Sequence, residues 1–209
     1  MTIQPIVEGF GEVSAVPVLL TRLRDEAGIF SIQAGKAIRR TRSQIVQEAP
    51  LRASVRLALL RDECSAILIL FDADDDCPKE LSRTIEAWAQ DEAGDVPCAV
   101  VIANREYEAW FLAAIESLRG QRGILNDAEP HPDPEVPRNA KGRLEDRMSR
   151  NTSYSETADQ AALTALFDMS ASYARCRSFR RMIRAFGLLV TGMGIELAAW
   201  PPAAWQRRP

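Results

Sequence analysis

The chain has 209 residues, 46% of them apolar and 26% charged, with a formal net charge of -3 at neutral pH. That length and apolar content suit one medium globular domain, or one domain with a helical appendage. The acidic balance argues against a uniformly basic nucleic-acid binder, although it says nothing about local patches. Cys64, Cys77, Cys98 and Cys176 form no C-x-x-C pair, and His131 is the one histidine. Structural zinc and histidine-dependent hydrolysis therefore have almost nothing to work with. Free thiols and no signal peptide lead to the expectation of a cytoplasmic protein. No apolar run approaches a membrane span, so no membrane partner is expected.

Ile3 to Val7 is a short apolar run stopping at Glu8-Gly9, which reads as a strand entering a turn. From Glu12, the residues Val13, Val16, Leu19, Leu20 and Leu23 recur at helical spacing, and Gly28 stands where a helix would end. Pro17 fits there only if the helix starts late enough to hold it in the first turn. Phe30 to Ile38 reads as a second strand. The pattern through Ile45, Val55, Leu59 and Leu60 reads as a helix interrupted or kinked at Pro50. Ala66 to Phe71 is apolar on both faces, which belongs in the middle of a parallel sheet. Pro78 opens a helix with Leu81, Ile85 and Trp88. Pro97 to Ala103 is a further strand, and Glu106 to Leu118 a further helix.

This alternation predicts an α/β fold, a mostly parallel central sheet flanked by helices, with ligands gathering at the C-terminal strand ends. Residues 1–125 are the expected core. Residues 126–139, with Pro130, Pro132, Pro134 and Pro137, read as a long loop. Residues 140–209 read as a helical C-terminal extension packed on the core, with helices over Ala140–Arg150, Glu156–Asp168 and Arg175–Phe186 and an irregular tail from Trp200. Trp88 and Trp110, at helical spacing with apolar residues, read as core.

Glu8 and Asp72 each follow a predicted strand. Asp72 and Asp74 are two residues apart, so an extended backbone would project both carboxylates to one side. Carboxylates converging on a small space either share a proton or are held together by a cation, and hard oxygen donors favour Mg²⁺ or Mn²⁺. Asp75 and Asp76 serve equally well as helix N-terminal acids ahead of Pro78, with Asp76 as the cap. An EF-hand loop counted from Asp72 would need Gly and Glu where Cys77 and Arg83 stand, so that motif is excluded. The Phe-Asp-Ala-Asp run is also similar to the metal motif of nucleotide-sugar glycosyltransferases, a lesser alternative that has no use for Glu8-Gly9.

Val7-Glu8-Gly9-x-x-Glu12 followed by Leu70-Phe71-Asp72-x-Asp74 resembles the Toprim domain of primases, topoisomerases and OLD-family nucleases. Glu106-Tyr107-Glu108-Ala109-Trp110-Phe111, Pro137, Lys141, Tyr154 and Cys176-Arg177-Ser178-Phe179 look like a Toprim-like family known as domain of unknown function four-two-seven-six. The resemblance spans roughly the whole chain. It implies Glu8 as general acid/base or metal ligand, Glu12 beside it as a second such glutamate, and Asp72 and Asp74 as Mg²⁺ ligands. Asp76, Glu106 and Glu108 are further candidate ligands, the last two for a second metal or as helix-start acids. Gly11 stands where relatives often carry Thr or Ser.

The expected activity is Mg²⁺-dependent phosphodiester hydrolysis, with nucleic acid as substrate and, by resemblance, an AAA/ABC-type ATPase partner in a defence or mobile-element setting. A non-catalytic module regulating such an ATPase is the alternative from another class. Lys141, Arg177, Arg180 and Arg181 are candidate nucleic-acid contacts, against the plainer explanation of a solvated basic face. Arg39, Arg40 and Arg42 form a second basic run of the same kind.

Overall fold

In the computed structural model, which describes residues 1–206, a parallel sheet forms the centre of an α/β fold. The first half of the chain runs β1 (Thr2–Val7), α1 (Glu12–Glu26), β2 (Gln33–Ala34), β3 (Ile38–Arg39), α2 (Arg42–Ile45) and α3 (Glu48–Leu59). It continues with β4 (Cys64–Asp72), α4 (Pro78–Ala93), β5 (Cys98–Ala103) and α5 (Ala109–Ala113). The sheet order is β2-β1-β4-β5, with β3 also pairing β1, and every pair is parallel. Val7 lies opposite Leu70 and Asp72 opposite Ala103, so β1, β4 and β5 end along one rim.

The double-sided apolar pattern of β4 has the cause its sequence implies. Leu68 and Leu70 join one buried cluster with Leu19, Val101 and Phe179, while Ile67, Ile69 and Phe71 join a second with Val55, Ile85 and Ile102. β5 is an edge strand. Val100 and Ile102 are buried, and an Arg181–Glu86 ion pair links α4 to the last long helix.

Several elements depart from the sequence pattern. Phe30 to Ile38 yields two short strands instead of one. Gly35 interrupts them where the buried Gln4 side chain donates to the Lys36 carbonyl at 2.6 Å. Pro17 lies well inside α1, beyond its first turn; it removes one backbone bond, but the buried Val16, Leu19, Leu20 and Leu23 fix the helix by packing. The chain breaks at Val46-Gln47, ahead of Pro50, which therefore falls in the first turn of α3, where a proline costs little. The expected Glu106–Leu118 helix shrinks to α5 and a 3₁₀ turn at Ile115–Leu118.

The C-terminal part contains α6 (Ala140–Glu145), a π-helical turn at Glu156–Gln160, α7 (Ala161–Leu166), α8 (Met169–Arg175), α9 (Arg177–Gly192) and a 3₁₀ turn at Ala203–Gln206. The three long helices expected there are thus broken or shifted, and residues 207–209 of the expected tail lie outside the described residues. These segments wrap α5, whose five residues are all buried, so it is apolar all round. Trp110 is core as expected, stacked edge-on against Phe179 and donating from Nε1 to Ser178 at 2.8 Å. Among the described residues no helix is long and apolar enough to cross a membrane.

The proline-rich stretch has no regular element, yet its Glu135 is buried and caps α9. The Arg177 and Ser178 amides each donate to this carboxylate at 2.8 Å, satisfying helix-start N–H groups that have no partner within the helix. Glu135→Ala is expected to cost roughly 1–3 kcal/mol, read as a lower urea midpoint at unchanged m-value, with Glu135→Gln recovering part of it. A midpoint identical to wild type would show that the cap contributes nothing.

Candidate acidic site at the strand ends

The turn after β1 is built around Glu12. Its side chain is 3% exposed, and its Oε2 accepts from the Glu8 amide at 3.0 Å and the Gly9 amide at 2.8 Å. The turn packs tightly enough to dictate Gly11. A Cβ there would lie 2.2 Å from Gln160 Oε1 and 2.6 Å from the Glu156 carbonyl. Serine or threonine at this position is therefore excluded by the approach of the π-helical turn, and Glu12 keeps its place without one.

Glu8 is half-buried at the rim, and its Oε2 is buried without a hydrogen-bond partner. The nearest cation is Arg42, 3.8 Å away, which also lies 3.6 Å from Asp74 and 2.5 Å from Asp76. The same guanidinium donates to the carbonyls of Asp72 and Ala73. Asp72 accepts at Oδ1 from the Tyr107 amide at 3.0 Å, linking the ends of β4 and β5.

Across the rim, Glu106 accepts from the Lys141 amide at 2.8 Å, in the first turn of α6. Glu108 is buried and accepts from Tyr154 Oη at 2.7 Å and from Gln160 Nε2 at 3.3 Å. Lys141 Nζ pairs with Glu156 at 2.6 Å.

The electrostatics follow from the crowding. Burial, then Glu12, Glu108, Glu8 and Glu106 in that order, push Asp72 well above the usual carboxylate range. Burial pushes Glu12 up to about 8, with Glu108 and Glu8 adding to it against the Gly9 amide. Glu108 rises to about 7 through burial, offset in part by the Tyr154 hydroxyl and reinforced by Glu106. Glu8 rises through burial and Asp74, held back by Arg42 and Arg39. Glu106 rises through burial, with Asp74 adding to it. Carboxyl groups from β1, α1, β4 and the segment after β5 therefore share one low-dielectric space.

Three expectations need correction. The backbone is not extended from Asp72 to Asp74. Asp74 has φ 50° and is exposed, so the two carboxylates do not project as strand neighbours; Asp tolerates this left-handed conformation better than most residues. Asp76 neither caps α4, whose N-cap is Cys77, nor lies deep in the rim, because its carboxylate is turned to Arg42. Glu106 and Glu108 are not helix-dipole acids within a long helix either, since α5 starts only at Ala109.

The proposed basic surface also divides. Lys141 stands at the rim, whereas Arg180 donates to the Tyr173 and Ala174 carbonyls and Arg181 pairs with Glu86. Arg180, Arg181 and Arg184 line a groove with Cys98, at the start of β5 and the opposite end from the rim. Arg177 is exposed at the first position of α9. Among the described residues, no three carboxylate, thiol or imidazole side chains already stand as a metal-ligand cluster. Glu12, Asp72, Glu106 and Glu108 are instead each turned toward an amide or hydroxyl donor.

A family model, Domain of unknown function (DUF4276), matches residues 7–186. The chain belongs to this family. No curated protein and no solved structure matches it. The stretch shared with DUF4276 takes in every rim residue from Glu8 to Gln160. Sequence reading missed the roles of Arg42, Gln160 and Glu156, because single polar residues on two short helical turns far apart in the chain carry no periodic or motif signal.

Two outcomes are expected. Gly11→Ala should lower stability by about 1–3 kcal/mol, the usual scale for overpacking, seen in the urea midpoint. The pH profile should also carry a sign. Glu12 and Glu108 titrate near 8 and 7 in the fold against an ordinary value of 4.5, so the native state holds more protons than the unfolded one between those limits. Stability without divalent metal should be greatest near pH 4.5 and fall as pH rises to 8. Glu12→Gln should flatten that fall, and a profile rising over the same window would contradict the burial described here.

Proposed function

We propose that the rim binds Mg²⁺ or Mn²⁺ and supports phosphodiester hydrolysis, as the Toprim resemblance implies. The observation that carries this is Glu8 Oε2, a buried carboxylate oxygen with no hydrogen-bond donor, in a carboxyl that Asp74 pushes upward and that pushes Asp72 upward in turn. Desolvating such an oxygen without a partner is costly, and the donor set is all hard oxygen. Glu8, Asp72 and Asp74 would hold the ion, with Glu106 beside Asp74. When bound, the ion supplies charge neutralisation on a phosphate oxygen and an acidified water. Glu8, its carboxyl raised above the usual carboxylate range by burial, is placed to take or return a proton. Glu12 acts through Glu8, since its Oε2 is committed to the turn amides; it is a positioning residue. Lys141 is available to a substrate phosphate once Glu156 releases it. A nucleic-acid substrate and an ATPase partner rest on the resemblance alone.

Arg42 favours a second reading. A built-in guanidinium among Glu8, Asp74 and Asp76 already supplies positive charge, as a non-catalytic module regulating a partner would require. Thermal unfolding with Mn²⁺ separates the two. Hydrolysis predicts several degrees of stabilisation in wild type and in Arg42→Gln, absent in Asp72→Asn, which keeps the acceptor for Tyr107 and is at least as stable without metal. The module predicts no metal response, and loss of stability in Arg42→Gln. In a cleavage assay on single-stranded and duplex DNA, Glu8→Gln should cut the rate by about 10²-fold or more. If Mn²⁺-loaded protein leaves DNA and RNA intact with and without an ATPase partner, the hydrolytic proposal fails.

A further inference from the structure

Phe10 is 62% exposed in the turn between Glu8 and Glu12, with the Arg39 guanidinium carbon 3.6 Å from its ring centroid. Exposed aromatic residues are common and usually carry no message. Phe30, for instance, is 75% exposed near the start of β2, at the far end of the sheet. Phe10 differs in three respects. Its turn is fixed, because Gly11 is packed against Gln160 and Glu156 and the Glu8 and Gly9 amides are held by Glu12. It lies two residues from Glu8, within ~7 Å along the chain. Its partner Arg39 ends β3 opposite Val7, is close enough to Glu8 to lower its pKa, and keeps a buried Nε with no hydrogen-bond partner. A rigid turn thus presents an aromatic ring backed by a cation beside the acidic rim.

We infer that Phe10 and Arg39 form a stacking platform for one unpaired nucleobase, so that the substrate of this site is single-stranded nucleic acid. The inference rests on the phosphodiester reading and specifies its substrate class. A duplex buries its base faces within its own stack, whereas an unpaired base offers a face to an aromatic ring. Arg39 behind the ring strengthens the platform through its charge and stands near the phosphate that would reach Glu8. The stacking contact tolerates any base, so the site should discriminate strandedness and not sequence.

The test uses the full chain and a fluorescent oligothymidylate of roughly 12 nucleotides, with a duplex of equal length, in Ca²⁺ for binding and Mn²⁺ for cleavage. The single strand should bind at least tenfold tighter than the duplex. Phe10→Ala should weaken single-strand binding roughly tenfold, leave the salt slope unchanged because no phosphate contact is lost, and raise KM without lowering kcat. Phe10→Trp should restore affinity. Unfolding midpoints equal to wild type confirm that the exposed side chain is dispensable for folding. Equal binding of duplex and single strand, an unaffected Phe10→Ala, or no binding of either form overturns the platform. Mn²⁺-dependent cleavage, scored on the same samples, decides the underlying hydrolytic reading separately.

Discussion

The structure is organised around mutual repulsion. Carboxyl groups from β1, α1, β4 and the segment after β5 meet at one rim, where burial removes the water that would screen them. Arg42, Arg39 and Lys141 supply the opposing charge; Arg42 is shared with the exposed Asp74 and Asp76, and Lys141 with the half-buried Glu156. The balance is kept by distributing donors. Backbone amides of Glu8, Gly9, Tyr107 and Lys141 and the Tyr154 hydroxyl each hold one carboxyl in place. Such a cluster favours protonation or a bound cation.

The C-terminal part of the chain is bound up with this arrangement. Tyr154 and Gln160 reach Glu108, Glu156 holds Lys141, and the carbonyl of Glu156 presses on Gly11. The aromatic chain Trp110–Phe179–Phe167–Phe111 anchors these segments to α5. Apolar packing provides the anchorage and the polar contacts provide the aim.

The parallel sheet was legible because β4 and β5 are continuous apolar runs, and such runs survive any detail of their surroundings. The rim acids Glu8 and Asp72 were legible for the same reason, since each abuts a strand whose end could be read. What escaped was decided by tertiary contact. Gln4 splits the second strand through a side-chain bond to Lys36, and no periodicity announces that. The φ of 50° at Asp74 turns a pair that an extended chain would have aligned. The basic residues near α9 looked like one surface in sequence, but Arg180 and Arg181 spend their donors on local carbonyls and Glu86. Glu135, lost among prolines, is a cap whose helix begins 42 residues later.

The close approach of Gln160 to Gly11 has a consequence for biosynthesis. The first strand and its turn leave the ribosome early, but the surface that fixes them arrives about 150 residues later, at synthesis rates that mean several seconds of delay. During that interval the Glu8 turn lacks the wall that packs on Gly11, and Glu108, once made, lacks its hydroxyl donor. A nascent chain therefore carries the acids of the rim without their assembled geometry until translation has passed the π-helical turn.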